Sequence, residues 1–439
     1  MIKINNKIKE VIKRDKKVLF TTTREDFPFV VERGDGDYAY DIAGNRFIDF
    51  SSFIGAYNLG VNGNGEIRRA IKAQVDKLMH PAFLDYYSEL PVRFAESLLT
   101  MFPRGFGRVF YSNSGTEAIE DAIKLSKIFT GKKVLISFYG SFHGRSMGSL
   151  GLTASRTAVR EGLGPFPNVV HAIYPNPYRC QFNTSDPDDC AMACIEHIEK
   201  NILAKEYSSK EVAAIFFEPV QGEGGYIVPP KLFVKELRRL ANENDILLVA
   251  DEIQSGSMRT GKFLAMEHFG VTADIYTLAK SIGGGMPIGI TIAKTELGDT
   301  PSGAHAGTFG GNLAAVAAAN AYLKYVKRNK SKLEAMAREK SRLIMRRLGS
   351  MLEKYEIVGD VRGLGMMIAV EFVKSKSTKE PAVKERAMIL EKSFYEGLLM
   401  LPCGTSTIRI IPPITMRREN IEKGLDILEK AIADVQNHN

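Results

Sequence analysis

The sequence predicts an α/β fold: a large, mostly parallel sheet with helices on both faces, joined to a smaller α+β part built from the two chain ends. Three observations lead there. Short apolar runs alternate with stretches of helical period through the middle of the chain. The two ends differ from that middle and from each other in pattern. The 439 residues exceed what one ordinary core holds, so more than one domain is expected.

The central runs are RVFYSN (108–113), KVLISFY (133–139), VVHAIY (169–174), AAIFFEPV (213–220), ILLVADEI (246–253) and DIYTLA (274–279). A helix is expected from about Thr116 to Phe129 and another over 230–244. Residues near 1–60 read as a basic amphipathic helix followed by short strands, with a hairpin-like turn at Ala43-Gly44-Asn45. After about residue 322 Lys, Arg and Glu recur at helical spacing. A strand is expected over 365–373, an exposed loop over 374–384 and a closing helix near Arg418–Val435. This pattern assigns 61–321 to the large domain, and 1–60 with 322–439 to the small one.

Composition narrows the function. Lys plus Arg number 59 against 51 Asp plus Glu, a formal charge of +8. No basic stripe interleaved with aromatics accompanies that excess, so nucleic acid is not an expected partner. The charged start MIKINNKIKEVIKRDKK has no apolar core of the secretory type, and no run of about 18 apolar residues suggests a membrane span. Cys180, Cys190, Cys194 and Cys403 are spaced irregularly for a disulfide framework, which suits a reducing cytoplasm. Cys190, Cys194 and His197 share one helix face. A buried stripe is the expectation there; zinc lacks an evident fourth ligand.

Four features could carry chemistry. Asp251 closes the apolar run ILLVA, where an acid either caps a helix or faces a ligand at the carboxyl end of a strand. Lys280 closes a second run and precedes three glycines. It either reaches solvent or offers its amine to an aldehyde, forming an imine. Ser114 and Glu117 have capping-box spacing, yet the same turn, with Gly115 and Thr116, presents N–H groups that suit a phosphate. In the segment YGSFHGRS, Phe142 could pack in the core or stack on a flat ring. Neighbouring His143 sits in a turn, and Arg145 could clamp a carboxylate or form a surface ion pair. A phosphate cradle, an aromatic plate, a strand-end aspartate and an imine-forming lysine are the parts pyridoxal 5'-phosphate needs.

These residues resemble the class III (subgroup II) aminotransferases of the fold-type-I pyridoxal-phosphate superfamily. The resemblance rests on SNSGTEAIEDAIK (112–124), YGSFHGR (139–145), FFEPVQGEGGYIVPP (216–230), VADEIQSGSMRTGKF (249–263), TLAKSIGGGMPIG (277–289) and GTFGGN (307–312), which follow family order across nearly the whole chain. Within the family the chain looks closest to 4-aminobutyrate and ornithine aminotransferases of archaeal type, with YPNPYR at 174–179. The resemblance implies that Lys280 binds the cofactor aldehyde and Asp251 pairs with its pyridine nitrogen. Gln254 would bond the phenolic oxygen and Phe142 would stack on the ring, with His143 beside it. Ser114, Gly115 and Thr116 would hold the phosphate. Thr308 would reach the phosphate of a neighbouring subunit, which implies a homodimer or a tetramer. Arg145 resembles the arginine for a distal carboxylate, Arg409 the arginine for an α-carboxylate, Glu223 the gate glutamate that pairs with it, and Ile54 a residue lining the donor side.

Several positions depart from the pattern: GVNGN at 60–64, Ser257-Met258, Ser281 and Leu313. They leave the core chemistry alone and bear on the substrate. The expected activity is ping-pong transfer of an amino group from an ω-amino acid to a 2-oxo acid such as 2-oxoglutarate. An amino-acid racemase or epimerase on the same scaffold is the alternative.

Overall fold

The computed structural model describes residues 2–23, 27–166 and 168–437. The chain divides into two compact units, Glu66–Glu334 and the combination of Met1–Gly65 with Ala335–Asn439.

The unit Glu66–Glu334 is organised by a seven-stranded sheet. Its strands are β4 (Phe106–Ser112), β5 (Val134–Phe138), β6 (Val169–Ala172), β7 (Val212–Phe217), β8 (Leu247–Asp251), β9 (Ile275–Leu278) and β10 (Gly289–Lys294), in the spatial order β4-β10-β9-β8-β7-β5-β6. Each expected central run overlaps one of these strands, although β4 and β7 begin slightly before their runs. The pairs β9–β8, β8–β7, β7–β5 and β5–β6 are parallel, whereas β10 runs antiparallel to both β9 and β4. Strand β10 was not among the expected runs. It follows the glycine-rich stretch 283–285, which obscures where the strand begins.

The parallel strands are apolar end to end because both faces are covered. Every residue of Val212–Phe217 is buried. The helix Gly115–Thr130 places Ile119, Ala122 and Ile123 in one cluster with Leu135, Ala214, Phe216, Val249 and Ile275. Burying a side chain of that size contributes about 1.5–3 kcal/mol. At the amino edge of the sheet the ammonium of Lys132 donates to the carbonyls of Ser209 (3.1 Å) and Asp245 (2.7 Å), tying together the turns that lead into β5, β7 and β8.

The other unit holds two four-stranded sheets. One contains β1 (Val31–Asp35), β2 (Tyr38–Asp41), β3 (Arg46–Asp49) and β13 (Leu398–Leu399). The second contains β11 (Val358–Leu364), β12 (Met367–Phe372), β15 (Thr407–Ile410) and β14 (Leu401–Cys403), in that order. Phe47 packs between Phe29 and Phe394, with ring centroids 5.0 Å away in each case. Helices Asn6–Val18 and Arg418–Gln436 lie where the periodicity predicts them, and β12 falls within the expected strand. Among the described residues no helix is long and apolar enough to cross a membrane.

Asp274, at the entrance to β9, ties three neighbours. It accepts from Arg238 Nη1 (2.6 Å), Lys294 Nζ (2.7 Å) and the backbone N–H of Leu248 (2.8 Å). Burial pushes its pKa up, but Arg238 together with the other donors outweighs this and holds it below the usual 3.8. That stabilisation is present above the unfolded-state pKa and disappears as pH falls through the lower folded-state value. Asp274→Asn should therefore cost roughly 3 kcal/mol near neutral pH, since it strands a largely buried guanidinium. The gap to the parent should close as pH falls below 3.8, as read by denaturant midpoints across a pH series.

Candidate active site

Strand direction gathers the site. β4, β5, β7, β8 and β9 all end on one edge of the sheet, because β10 reverses direction between β4 and β9. Ser114–Thr116 follow β4, and Phe142, His143 and Arg145 follow β5. Glu218 and Glu223 follow β7, Asp251 and Gln254 close β8, and Lys280 follows β9. Ligands of open α/β sheets collect at such carboxyl edges. In the β8–β9 register Asp251 stands opposite Thr277, three residues ahead of Lys280.

The first turn after β4 combines both sequence readings. Ser114 is the N-cap of Gly115–Thr130 and its hydroxyl accepts from Glu117 N at 3.3 Å. The Glu117 carboxylate reaches past Ser114 to the N–H of Asn113 (2.6 Å), so the capping box is only half formed. Gly115 and Thr116 lie in the first turn, where a helix offers no internal acceptor and where its dipole favours an anion. β10 presses closely here: a Cβ on Gly289 would stand 2.2 Å from the Ser114 carbonyl, so only glycine lets the strand pass. The Thr116 hydroxyl lies 2.6 Å from that of Ser149 and accepts the N–H of Arg145 at 3.3 Å, which ties the cradle to the loop after β5.

Asp251 is only 4% exposed. Its Oδ1 accepts from Ile253 N (3.0 Å), while Oδ2 accepts from Nδ1 of buried His143 (2.8 Å). Burial opposes a charge on His143, but the hydrogen bond and charge of Asp251, helped by Glu218, more than offset it, and its pKa is raised. His143 Nε2 is buried with no hydrogen-bond partner among the described residues. Lys280 has φ +49, a left-handed conformation that a side chain adopts at a cost of roughly 1–3 kcal/mol and that concentrates at functional sites. Gln254 Oε1 stands 2.7 Å from where a Cβ on Gly222 would lie. Arg145 is exposed, makes no ion pair among the described residues, and sits with its guanidinium 5.8 Å from the centre of the Phe142 ring.

Two residues that sequence reasoning missed hold this edge together. Glu218 accepts from the N–H groups of Phe142 (3.0 Å) and Gly222 (2.9 Å), and burial lifts its pKa to about 7. Glu252 accepts from Ser255 Oγ, Ala265 N and Met266 N, and burial lifts its pKa to about 7 as well. For Glu218 the available signal was an acid directly after a wholly apolar run, the same signal that exposed Asp251; Glu252 stands behind Asp251 and carries no such signal.

The remaining site candidates lie elsewhere. Thr308 is exposed, in the loop ahead of helix Leu313–Lys354. Ile54 and Arg409 belong to the other unit. Ile54 has φ +63 within a left-handed run from Ser52 to Gly55. Arg409, on β15, is 3% exposed and donates from Nε (3.1 Å) and Nη2 (2.7 Å) to the Pro402 carbonyl. Cys190 and Cys194 are buried in helix Pro187–His197, and among the described residues no three His, Cys, Asp or Glu are placed to hold a metal ion.

A helix N-terminus for a phosphate, a buried carboxylate braced by an imidazole, and a strand-end lysine on one sheet edge fit pyridoxal 5'-phosphate, and together they define a pyridoxal-phosphate enzyme of fold type I. The comparisons agree. Residues 20–432 match the family described as aminotransferase class-III. The chain is 36% identical over 429 residues to the leucine/methionine racemase of Thermococcus litoralis, covering 97% of this chain and 96% of that one. It is also 36% identical over 417 residues to the 5-aminovalerate aminotransferase of Pseudomonas aeruginosa, covering 93% and 94%. A PLP-bound amine transaminase from an uncultivated Pseudomonas species superposes with a TM-score of 0.88 at 30% identity, over 95% of this chain and 98% of that one. The chain belongs to the class-III aminotransferase family, and pyridoxal 5'-phosphate is its cofactor.

Glu218 provides a pH signature. Its folded pKa of about 7 exceeds the ordinary 4.5, so the folded protein holds an extra proton between those values. Stability contributed by this group therefore falls as pH rises from 4.5 towards 7. Glu218→Gln should flatten that slope, measured as the change in denaturant midpoint between pH 5 and pH 7 for parent and variant.

Proposed function

We propose that the protein transfers the amino group of an ω-amino acid, of the 4-aminobutyrate, 5-aminovalerate or ornithine type, to a 2-oxo acid such as 2-oxoglutarate. The observation that carries this reading is Arg145. It is an exposed guanidinium without an ion pair among the described residues, next to Phe142, on the edge that collects Asp251 and Lys280. A second carboxylate anchor suits a donor whose acid group lies far from its amine. The 5-aminovalerate aminotransferase relative supports it.

When bound, the cofactor supplies an electron sink for the carbon bearing the amino group. In this reading Lys280 holds the cofactor aldehyde and then moves a proton at that carbon. Asp251, braced by His143, keeps a proton on the pyridine nitrogen. Gln254 orients the phenolic oxygen, Phe142 covers the ring face, and Ser114, Gly115 and Thr116 hold the phosphate. Arg145 takes a distal carboxylate and Arg409 an α-carboxylate. Glu223 serves as the gate glutamate that the family resemblance implies. Ile54 lines the donor side. The working form is a homodimer, or a tetramer made of two such dimers, in which Thr308 serves the neighbouring subunit's phosphate; the exposed loop carrying Thr308 and Phe309 supports this. Four free cysteines suit a cytoplasmic setting.

Racemisation is the second reading, favoured by the racemase relative at the same 36% identity. The test is a panel of ω-amino acids and L-amino acids, each with and without 2-oxoglutarate. Turnover of an ω-amino acid only when the 2-oxo acid is present supports transfer. Formation of D-enantiomer from an L-amino acid alone overturns it. Lys280→Ala should abolish either activity. Arg409→Ala should raise KM for 2-oxoglutarate at least tenfold while leaving that of a carboxylate-free amine nearly unchanged, measured by steady-state kinetics with each substrate varied.

A further inference from the structure

Within the unit containing Ala335–Asn439, a concave groove of about 410 Å³ runs along helix Leu313–Lys354 beside the start of helix Arg418–Gln436. Five cations line it: Arg338, Lys340, Arg342, Arg346 and Arg418. One acid, Glu339, opposes them, so the lining carries a net charge of +4. We infer that this groove is a binding site for a small anion carrying two or more phosphate groups.

Arg338, Arg342 and Arg346 recur every four residues, so their side chains share one face of the helix and span about 12 Å along it. All three are exposed and none forms an ion pair among the described residues. Two other arginines behave otherwise: Arg347, next in sequence and outside the groove lining, bonds Asp426 (2.8 Å) and Glu429 (3.1 Å), and Arg418, within the lining, bonds Glu422 (2.9 Å). Among the described residues Arg338, Arg342 and Arg346 thus keep their guanidinium groups out of ion pairs, with Glu339 the one acid in the groove lining. Placing three like charges side by side is unfavourable without a counter-ion. Lys340 forms part of the wall: it is 8% exposed and its amine donates to the Ile414 carbonyl. The start of Arg418–Gln436, whose N-cap Arg417 makes no side-chain cap, adds a positive dipole end to the same rim.

The shape and lining select the class of ligand. Guanidinium forks match phosphate oxygens bidentately. A single phosphate cannot engage arginines spread over two helical turns, whereas linked phosphates can. No aromatic side chain lines the groove, so there is no platform on which a base would stack, and a nucleic-acid strand is disfavoured. The volume suits a small molecule better than a folded partner.

The test uses the cofactor-loaded enzyme, so that the catalytic phosphate site is already filled. Inorganic tripolyphosphate and orthophosphate are titrated calorimetrically at low ionic strength, with parent protein and the double variant Arg342→Ala/Arg346→Ala. Both positions are exposed and outside the catalytic edge, so aminotransfer and thermal midpoint should stay at parent values. Tripolyphosphate should bind the parent at least tenfold tighter than orthophosphate, and the double variant should lose at least tenfold of that affinity. Equal affinity for the two anions, no detectable binding, or unchanged binding by the variant would each overturn the proposal. Tighter binding of an oligoglutamate peptide or a single-stranded oligonucleotide through the same two arginines would overturn the choice of ligand.

Discussion

Everything at the catalytic edge depends on the direction of the strands. A parallel strand delivers its next residues to the same side of the sheet as its neighbours do. Six strands of the large unit end together, and the reversed β10 fills the gap without sending a loop to that side from its own carboxyl end. Ser114, His143, Glu218, Asp251 and Lys280 come from segments far apart in sequence and converge because of this one rule. The edge is also where β10 must begin, and the tight passage of Gly289 past Ser114 fixes the phosphate-type turn against the sheet.

Charge management follows from that convergence. Three acids, Glu218, Asp251 and Glu252, are buried side by side, and each is satisfied differently. Asp251 has an imidazole and a backbone N–H. Glu218 and Glu252 rely on backbone and hydroxyl donors, and burial holds their protons to about pH 7. The result is one carboxylate braced by a cation-capable ring and two that remain close to neutral. This separates the aspartate suited to a ring nitrogen from two acids whose work is to hold loops.

Much of this was legible in the sequence. Apolar runs of strand length with both faces buried announce themselves without alternation, and every expected central run overlaps a strand. Asp251 and Lys280 stood out because a charge directly after such a run is costly unless it faces something. Glu218 carries the same signal, but its task, joining the loops after β5 and β7, exists only once those strands lie side by side. Sheet order is a matter of tertiary packing, so the placement of β7 between β5 and β8 could not be read from periodicity. Strand β10 was hidden by the glycine-rich run before it. The half-formed capping box shows the limit of spacing rules: Glu117 had a better-placed donor one residue earlier.

The Lys132 cross-tie gives the sheet a quiet back side. Its ammonium laces the turns near Ser209 and Asp245, at the opposite end of the strands from the chemistry. Exposed Lys210 and Asp245 lie on those turns. A resin linker, fluorophore or fused reporter attached there would hang from the rear of the sheet, leaving substrate traffic at the front unobstructed. For immobilised biocatalysis, these turns are the natural handle.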